Sequence, residues 1–201
     1  MVNYVFLDPD GAAPKGCGTV LCPARWVVAG GEDLREAALI GPTCDANGAL
    51  LTCLTRSRTP RADFAAIFAA DPFALWDDIA AELAALGIPG VINYPTVGLV
   101  EGEMARNLAE VGLGIAAEAA LMEQFRAKGF RCGIVIGALD DLAYHAPLAS
   151  DLLILHGFMA QGDERDASLV TEASNTVPCP VILHASFWHD SAVALAQGVL
   201  R

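Results

Sequence analysis

Charge is scarce in this chain. Only 18% of its residues are Asp, Glu, Lys or Arg, and 12 basic residues stand against 24 acidic ones, for a formal net charge of −12. So acidic a chain disfavours non-specific attraction to nucleic acid or to an anionic membrane face. A small anion is still within reach, because a local cluster of backbone N–H groups can bind one in an acidic protein. No uninterrupted apolar run has membrane-spanning length, and Met1-Val2-Asn3-Tyr4-Val5-Phe6-Leu7-Asp8 lacks both a basic n-region and a long apolar h-region. We therefore expect a soluble, cytoplasmic protein without a membrane partner. The six cysteines, Cys17, Cys22, Cys44, Cys53, Cys132 and Cys179, form no Cys-x-x-Cys or paired Cys/His spacing. Cys17 and Cys22 are open to a metal, a disulfide or plain loop thiols, whereas Cys53, Cys132 and Cys179 sit in or beside apolar runs as small hydrophobes. A reducing compartment fits this usage. No Gly-x-Gly-x-x-Gly opens a helix after an early strand and no Walker-type Gly-Lys-Ser/Thr occurs, so the usual nucleotide-binding markers are missing.

What is present is hydrophobic mass: 54% of 201 residues, enough to bury a sizeable core as one domain spanning residues 1–201. Residues 1–34 read as an irregular N-terminal segment, because Gly11, Pro14, Gly16, Gly18, Pro23, Gly30 and Gly31 punctuate it. Beyond it no repeat, low-complexity array or polar linker interrupts the chain.

Short, apolar, unalternated runs read as strands of a parallel sheet buried on both faces. They are Trp26 to Ala29, Leu50 to Leu54, Phe64 to Phe68, Gly90 to Asn93, Cys132 to Ile136, Leu152 to Leu155 and Val181 to Leu183. Helical patterns lie between most of them: Phe73 to Leu86, Glu103 to Glu110, Ile115 to Lys128, Leu139 to Ala146, Glu164 to Ser174 and Asp190 to Ala196. Asp71 and Pro72 suit the N-cap and first position of the first of these helices, and Gly87 suits its end. This α/β alternation predicts a (β/α) TIM-type barrel, shortened or imperfect; the alternative is an open parallel sheet closed by oligomerisation.

Either architecture gathers ligands at the strand carboxyl ends, so the residues just past each strand are the candidates. Asn93, Tyr94 and Thr96 follow one strand, His156 and His184 follow two others, and Arg56, Asp71 and Ser186 complete the polar rim. His156 and His184 stand one βα unit apart in equivalent places. There they could exchange protons near neutral pH, bind an anionic substrate or hold a divalent metal, although no third metal ligand is placed; capping a strand end is the structural alternative. Arg56 could clamp a carboxylate or phosphate, or lie in a solvated loop. Glu118, set among alanines, is either an exposed helix residue or a general acid or base facing the mouth.

The run Gly90-Val91-Ile92-Asn93-Tyr94-Pro95-Thr96-Val97-Gly98-Leu99-Val100-Glu101-Gly102, followed by Leu108-Ala109-Glu110-Val111-Gly112-Leu113-Gly114 and then Glu118, resembles the central signature of the phosphoenolpyruvate hydrolase-like TIM-barrel family. Asp45-Ala46-Asn47 and Ala69-Ala70-Asp71-Pro72-Phe73 are similar to earlier pieces of the same pattern, and His156-Gly157 and His184 fall where its later strand ends carry histidines. Two loops depart from the pattern. His156-Gly157-Phe158-Met159-Ala160-Gln161-Gly162-Asp163 lacks the family's paired threonines, and His184-Ala185-Ser186-Phe187 replaces its His-Gly-Gly-Pro turn. The resemblance implies a barrel enzyme that hydrolyses or cleaves a small oxo-acid or phosphorylated carboxylate, with His156, His184 and Glu118 as catalytic groups. Asn93, Tyr94, Thr96, Asp71, Arg56 and Ser186 would hold the substrate. The altered loops support a rival expectation, a non-catalytic barrel that binds a small ligand or assembles as a homo-oligomer.

Overall fold

The structure, a computed structural model, describes residues 3–7, 14–27, 45–56, 62–146, 148–160, 162–184 and 188–201. Eight parallel strands close into a barrel in sequence order: β1 (Tyr4–Leu7), β2 (Gly18–Leu21), β3 (Phe64–Ile67), β4 (Gly90–Asn93), β5 (Arg131–Ile136), β6 (Leu152–Leu155), β7 (Val181–His184) and β8 (Gly198–Leu200). At the closing seam Tyr4 pairs with Leu200, the Phe6 N–H donates to the Arg201 carbonyl at 2.8 Å, and the Arg201 N–H donates to the Tyr4 carbonyl at 3.0 Å. This is the α/β TIM-type barrel that the strand–helix alternation predicts, closed within one chain.

Because successive residues of a strand face opposite sides, the pleat sorts every side chain to the barrel interior or to the helical layer. Tyr4, Phe6, Val20, Phe64, Ala66, Ile92, Tyr94, Val135, Leu152, Ile154, Ile182 and Leu200 fill the interior. Their neighbours Leu7, Leu21, Ala65, Ile67, Val91, Ile134, Leu153, Leu155, Val181 and Leu183 face outward against the helices. Both sets are buried, which is why the strands read as continuous apolar runs. Interior bulk alternates with glycine. A Cβ at Gly18 would stand 2.3 Å from the Tyr4 ring, and one at Gly90 would stand 2.6 Å from the Phe64 ring and 2.9 Å from the Asp63 carbonyl.

The outer layer contains α1 (Ala24–Val27), α2 (Ala46–Arg56), α3 (Trp76–Ala85), α4 (Gly102–Glu110), α5 (Ile115–Ala127), α6 (Leu142–His145), α7 (Asp163–Thr176) and α8 (Asp190–Leu195). Among the described residues no helix is long and apolar enough to cross a membrane.

Several expectations need correction. Leu50 to Leu54 is not a strand but the middle of α2, whose buried residues Asn47, Leu50, Cys53 and Leu54 recur at helical spacing; a five-residue apolar window is too short to separate the two periods. Trp26 and Val27 belong to α1, and Val28 and Ala29 lie outside the described residues. The second strand is instead Gly18–Leu21, so the segment 1–34, expected to be irregular, supplies β1 and β2. The third helix begins at Trp76, not Phe73, and its N-cap position is Leu75. Asp71 therefore caps no helix; its Oδ1 accepts the Phe73 N–H at 2.9 Å in a local turn.

Gly90 carries a direct test of the interior packing. Gly90→Ala places a methyl against the Phe64 ring and a fixed carbonyl, so a loss of roughly 1–3 kcal/mol in denaturant unfolding is expected, as for other overpacked cores; an unchanged midpoint would contradict the packing described.

Candidate active site at the carboxyl mouth

The pleat that builds the barrel also divides the sequence-predicted site residues into two groups. Tyr94, His156 and His184 continue the inward-facing sets of β4, β6 and β7, and all three are buried at 1% exposure. The rings of His156 and His184 lie 4.8 Å apart, tilted by 36°. His184 meets Tyr94 edge-on at 5.3 Å and Phe6 edge-on at 5.7 Å. Arg25, which follows β2 on α1, completes the cluster: its Nη1 donates to the Tyr94 hydroxyl, and its guanidinium carbon stands 4.0 Å from the centre of the Phe6 ring. Arg25 is only 5% exposed. The barrel's carboxyl mouth thus holds a buried guanidinium, a phenol and two imidazoles in one chain of contacts. Cationic and hydrogen-bonding groups in a water-poor mouth are suited to a small carboxylate or phosphate.

Asn93, Thr96 and Glu118 form the other group, outside the barrel wall between β4, β5 and α5. Asn93 faces outward, and its carboxamide clasps the neighbouring strand: Oδ1 accepts the Val135 N–H at 2.7 Å, while Nδ2 donates to the Val135 carbonyl at 2.9 Å. The same Nδ2 donates to Glu118 Oε1 at 2.6 Å. Thr96 Oγ1 donates to that oxygen at 2.7 Å, and the Val97 N–H donates to Oε2 at 3.0 Å. Glu118 is neither exposed nor directed into the mouth. At 1% exposure it fixes the turn from Asn93 to Val97, which includes the cis Tyr94–Pro95 bond, and so positions Tyr94 from behind.

Two more groups reach this node. A Cβ on Gly137 would stand 2.3 Å from the Gly98 carbonyl oxygen, so glycine there lets the turns after β4 and β5 touch. Asp141, on the second turn, accepts the Gly137 and Ala138 N–H groups at 3.1 and 3.0 Å. His145 on α6 places Nε2 3.9 Å from Glu118 Oε1, and neither of its ring nitrogens has a hydrogen-bond partner among the described residues. Burial pushes the Glu118 carboxyl up to about 7, against the opposing pull of its hydrogen bonds to Val97, Thr96 and Asn93, with the Asp141 charge adding to the rise. Burial also holds the His145 imidazole down at about 4. Near neutral pH the contact is therefore between a carboxyl group and an uncharged ring, not an ion pair.

The remaining candidates lie elsewhere. Asp71 sits in the turn after β3, where its Oδ2 accepts from Asn47 Nδ2 at 3.0 Å, and Asn47 also bonds the Phe68 carbonyl and N–H. Arg56 is exposed at the last residue of α2, the helix leading into β3; that places it toward the amino ends of the strands, away from the mouth. Ser186 lies outside the described residues. Among the described residues no three His, Cys, Asp or Glu side chains converge on a point that could hold a metal ion. Sequence reasoning passed over Arg25, Asp141 and His145, and noted Asn47 only as part of the family pattern, without a role. Arg25 was masked by the misassigned strand at Trp26; the apolar run Val20-Leu21-Cys22 just before it carried the signal.

A closed parallel barrel with its polar side chains gathered at one mouth defines the TIM-barrel class. Residues 44–172 match the family model described as phosphoenolpyruvate hydrolase-like, and the chain belongs to that family. The match includes Asn93, Tyr94, Glu118 and His156 but not Arg25 or His184. The uncharacterized protein y4oT of Sinorhizobium fredii (strain NBRC 101917 / NGR234) is 34% identical over 113 residues, 56% of this chain and 57% of that protein. Two tomato (Solanum lycopersicum) proteins, ToMV resistance protein Tm-1(GCR237) and ToMV susceptible protein tm-1(GCR26), are each 27% identical over 115 residues, 57% of this chain and 15% of theirs. The matched part therefore spans little more than half of the rhizobial relative and a small fraction of the tomato ones.

The two titrating groups of the node act on stability in opposite directions with pH. Glu118, raised from 4.5 to about 7, contributes stability that is complete below its ordinary value and lost as pH rises toward about 7. His145, lowered from 6.5 to about 4, contributes stability that is complete above its ordinary value and lost as pH falls toward about 4. Between pH 4.5 and 6.5 the two contributions run in opposite directions, so thermal unfolding of the wild type should be nearly flat across that range. In Glu118→Gln only the His145 contribution is left, and stability should rise by on the order of 3 kcal/mol from pH 4 to 6.5; a flat profile in that variant would contradict the assignment.

Proposed function

We propose that this protein binds a small oxo-acid or phosphorylated carboxylate at the barrel's carboxyl mouth and hydrolyses or cleaves it. The observation that carries the reading is the buried chain of Arg25, Tyr94, His184 and His156. A guanidinium is always charged and presents a planar donor fork that matches a carboxylate or phosphate, so Arg25 is the anion anchor. The Tyr94 hydroxyl and the Phe6 face hold that fork in one orientation. Two imidazoles in contact beside it are groups able to give and take a proton during bond cleavage next to a carboxylate. The large rings of Phe6 and Tyr94 close the space below, which limits the ligand to a small molecule. The family description supports the same substrate class.

Binding without turnover is the second reading. The near-complete burial of His156 and His184 favours it, as does the fact that the tomato relatives are named for ToMV resistance and susceptibility, not for a reaction.

The experiment is a panel of oxo-acids and phosphorylated carboxylates, assayed for binding and product release with the wild-type protein and with Arg25→Met, His156→Ala and His184→Ala. Arg25→Met should weaken binding by about tenfold or more, consistent with the loss of a charge-assisted bond. Each histidine variant should lower turnover by roughly 10²-fold or more with a smaller effect on affinity. Unchanged turnover and affinity in both histidine variants would sink the enzymatic reading, and binding with no turnover by wild type would select the second.

A further inference from the structure

The helical layer is thin over β5 and β6. The helix between these strands, α6, has only four residues, against 13 in α5 and 14 in α7. One helical turn is too short to cover the outward faces of two strands, and a cavity of about 270 Å³ lies beside it. Ile134 of β5 and Leu153 of β6 are buried in the cavity wall together with Leu148. Ala146 and Ala149 in the same wall are exposed, so the cavity opens to solvent on their side. Ile134 and Leu153 face away from the barrel interior, and none of the mouth residues lines this space.

Among the described residues the wall contains no Asp, Glu, Lys or Arg, and its polar side chains are three. Two of them are already used: Thr176 Oγ1 donates to the Glu172 carbonyl at 2.8 Å, and Ser150 Oγ lies 3.4 Å from Cys179 Sγ. The third is His145. It is only 5% exposed, and neither ring nitrogen has a hydrogen-bond partner. Its Nε2 stands 3.9 Å from Glu118 Oε1, beyond hydrogen-bond length, and that oxygen already accepts from Asn93 and Thr96. Packing alone would be better served by leucine or phenylalanine, because a buried polar group left unpaired loses its water for nothing in return. No hydrogen bond holds the ring, and the Cβ–Cγ torsion of histidine is broad, so the imidazole can turn a nitrogen toward the cavity that it lines.

We propose that this cavity binds a small uncharged ring molecule carrying one hydroxyl or amide group, with the ring packed on Ile134, Leu148 and Leu153 and the polar group hydrogen-bonded to the His145 imidazole. Size fits the class. An apolar cavity of about 150 Å³ is enough for benzene, so this one has room for a ring and a substituent. Charge fits it too. Burial holds the His145 imidazole down at about 4, so the wall offers no charge at neutral pH. A carboxylate, a phosphate or an ammonium group would give up its water here with no opposite charge to meet. The neutral ring has one N–H to give and one lone pair to fill, which matches a hydroxyl or an amide. The ligand class differs from the anions assigned to the mouth, and the site does not depend on that reading.

The test titrates the full chain with phenol, toluene and benzoate while backbone amide shifts are followed by NMR. Phenol should bind saturably with a dissociation constant of about 1 mM or tighter, which seven non-hydrogen atoms can supply. The shifts should centre on β5, β6 and residues 142–150. Toluene, of the same size but without the hydroxyl, should bind about three- to tenfold more weakly, the loss of one hydrogen bond. Benzoate should bind at least about tenfold more weakly than phenol. His145→Phe keeps a ring in place and should bring phenol and toluene within about twofold of each other, whereas His145→Gln, which keeps a donor and an acceptor, should retain the preference for phenol. No saturable binding of phenol, or shifts centred away from the cavity wall, would overturn the proposal. So would equal affinities for phenol and toluene in the wild type, or a preference for phenol that survives in His145→Phe.

Discussion

The structure turns on one buried carboxyl group. Glu118 lies in the first turn of α5 and receives donors from Asn93, Thr96 and the Val97 backbone, three groups of the single turn that leaves β4. Burial works against its charge while the hydrogen bonds from Val97, Thr96 and Asn93 favour it, and the balance pushes the carboxyl up to about 7. Its consequence is geometric. With Asn93 clasped to β5 and Thr96 held from behind, Tyr94 has one direction left, into the barrel, where its hydroxyl meets Arg25 and its ring meets His184. The machinery of the mouth is therefore supported by contacts that never touch the mouth.

That division explains what could be read from the sequence and what could not. Gly90 to Asn93, Leu152 to Leu155 and Val181 to Leu183 were legible because strands buried on both faces are short apolar runs closed by polar residues. Leu50 to Leu54 has the same appearance, but it packs one helical face, and five residues do not distinguish a period of 2 from one of 3.6. The strands Tyr4–Leu7 and Gly18–Leu21 were hidden by the glycines and prolines around them: Gly16 and Pro23 do sit in turns, but Gly18 opens β2, and so short a strand is easily lost among such residues.

At the site, residue types were easier to find than directions. The Asn93-Tyr94-Pro95-Thr96 turn was singled out as ligand-competent ground, and the turn reverses sides within two residues: Asn93 and Thr96 serve the wall and only Tyr94 the interior. The pairing of His156 with His184 followed from equivalent places on neighbouring strands, and their rings do meet. Glu118 could not be assigned from its alanine neighbours, because the partners that define it are 21 to 25 residues earlier in the chain. The matched family region contains this supporting node and His156 but not Arg25 or His184, so the support is described by the family model while two groups of the mouth lie beyond it.

The central claim is that two polar residues of one turn, separated only by Pro95, have separate duties, Thr96 in support and Tyr94 in ligand contact. Calorimetric titration of inorganic phosphate, paired with denaturant unfolding, measures both duties in Thr96→Val and Tyr94→Phe. Thr96→Val should lose roughly 1–3 kcal/mol of stability, as expected for a buried acceptor deprived of its donor, and keep phosphate affinity within about threefold. Tyr94→Phe should stay within about 1 kcal/mol of wild-type stability and bind phosphate about tenfold more weakly, since the hydroxyl that orients Arg25 is gone. The reverse pattern, affinity lost at Thr96 and stability lost at Tyr94, would contradict the account.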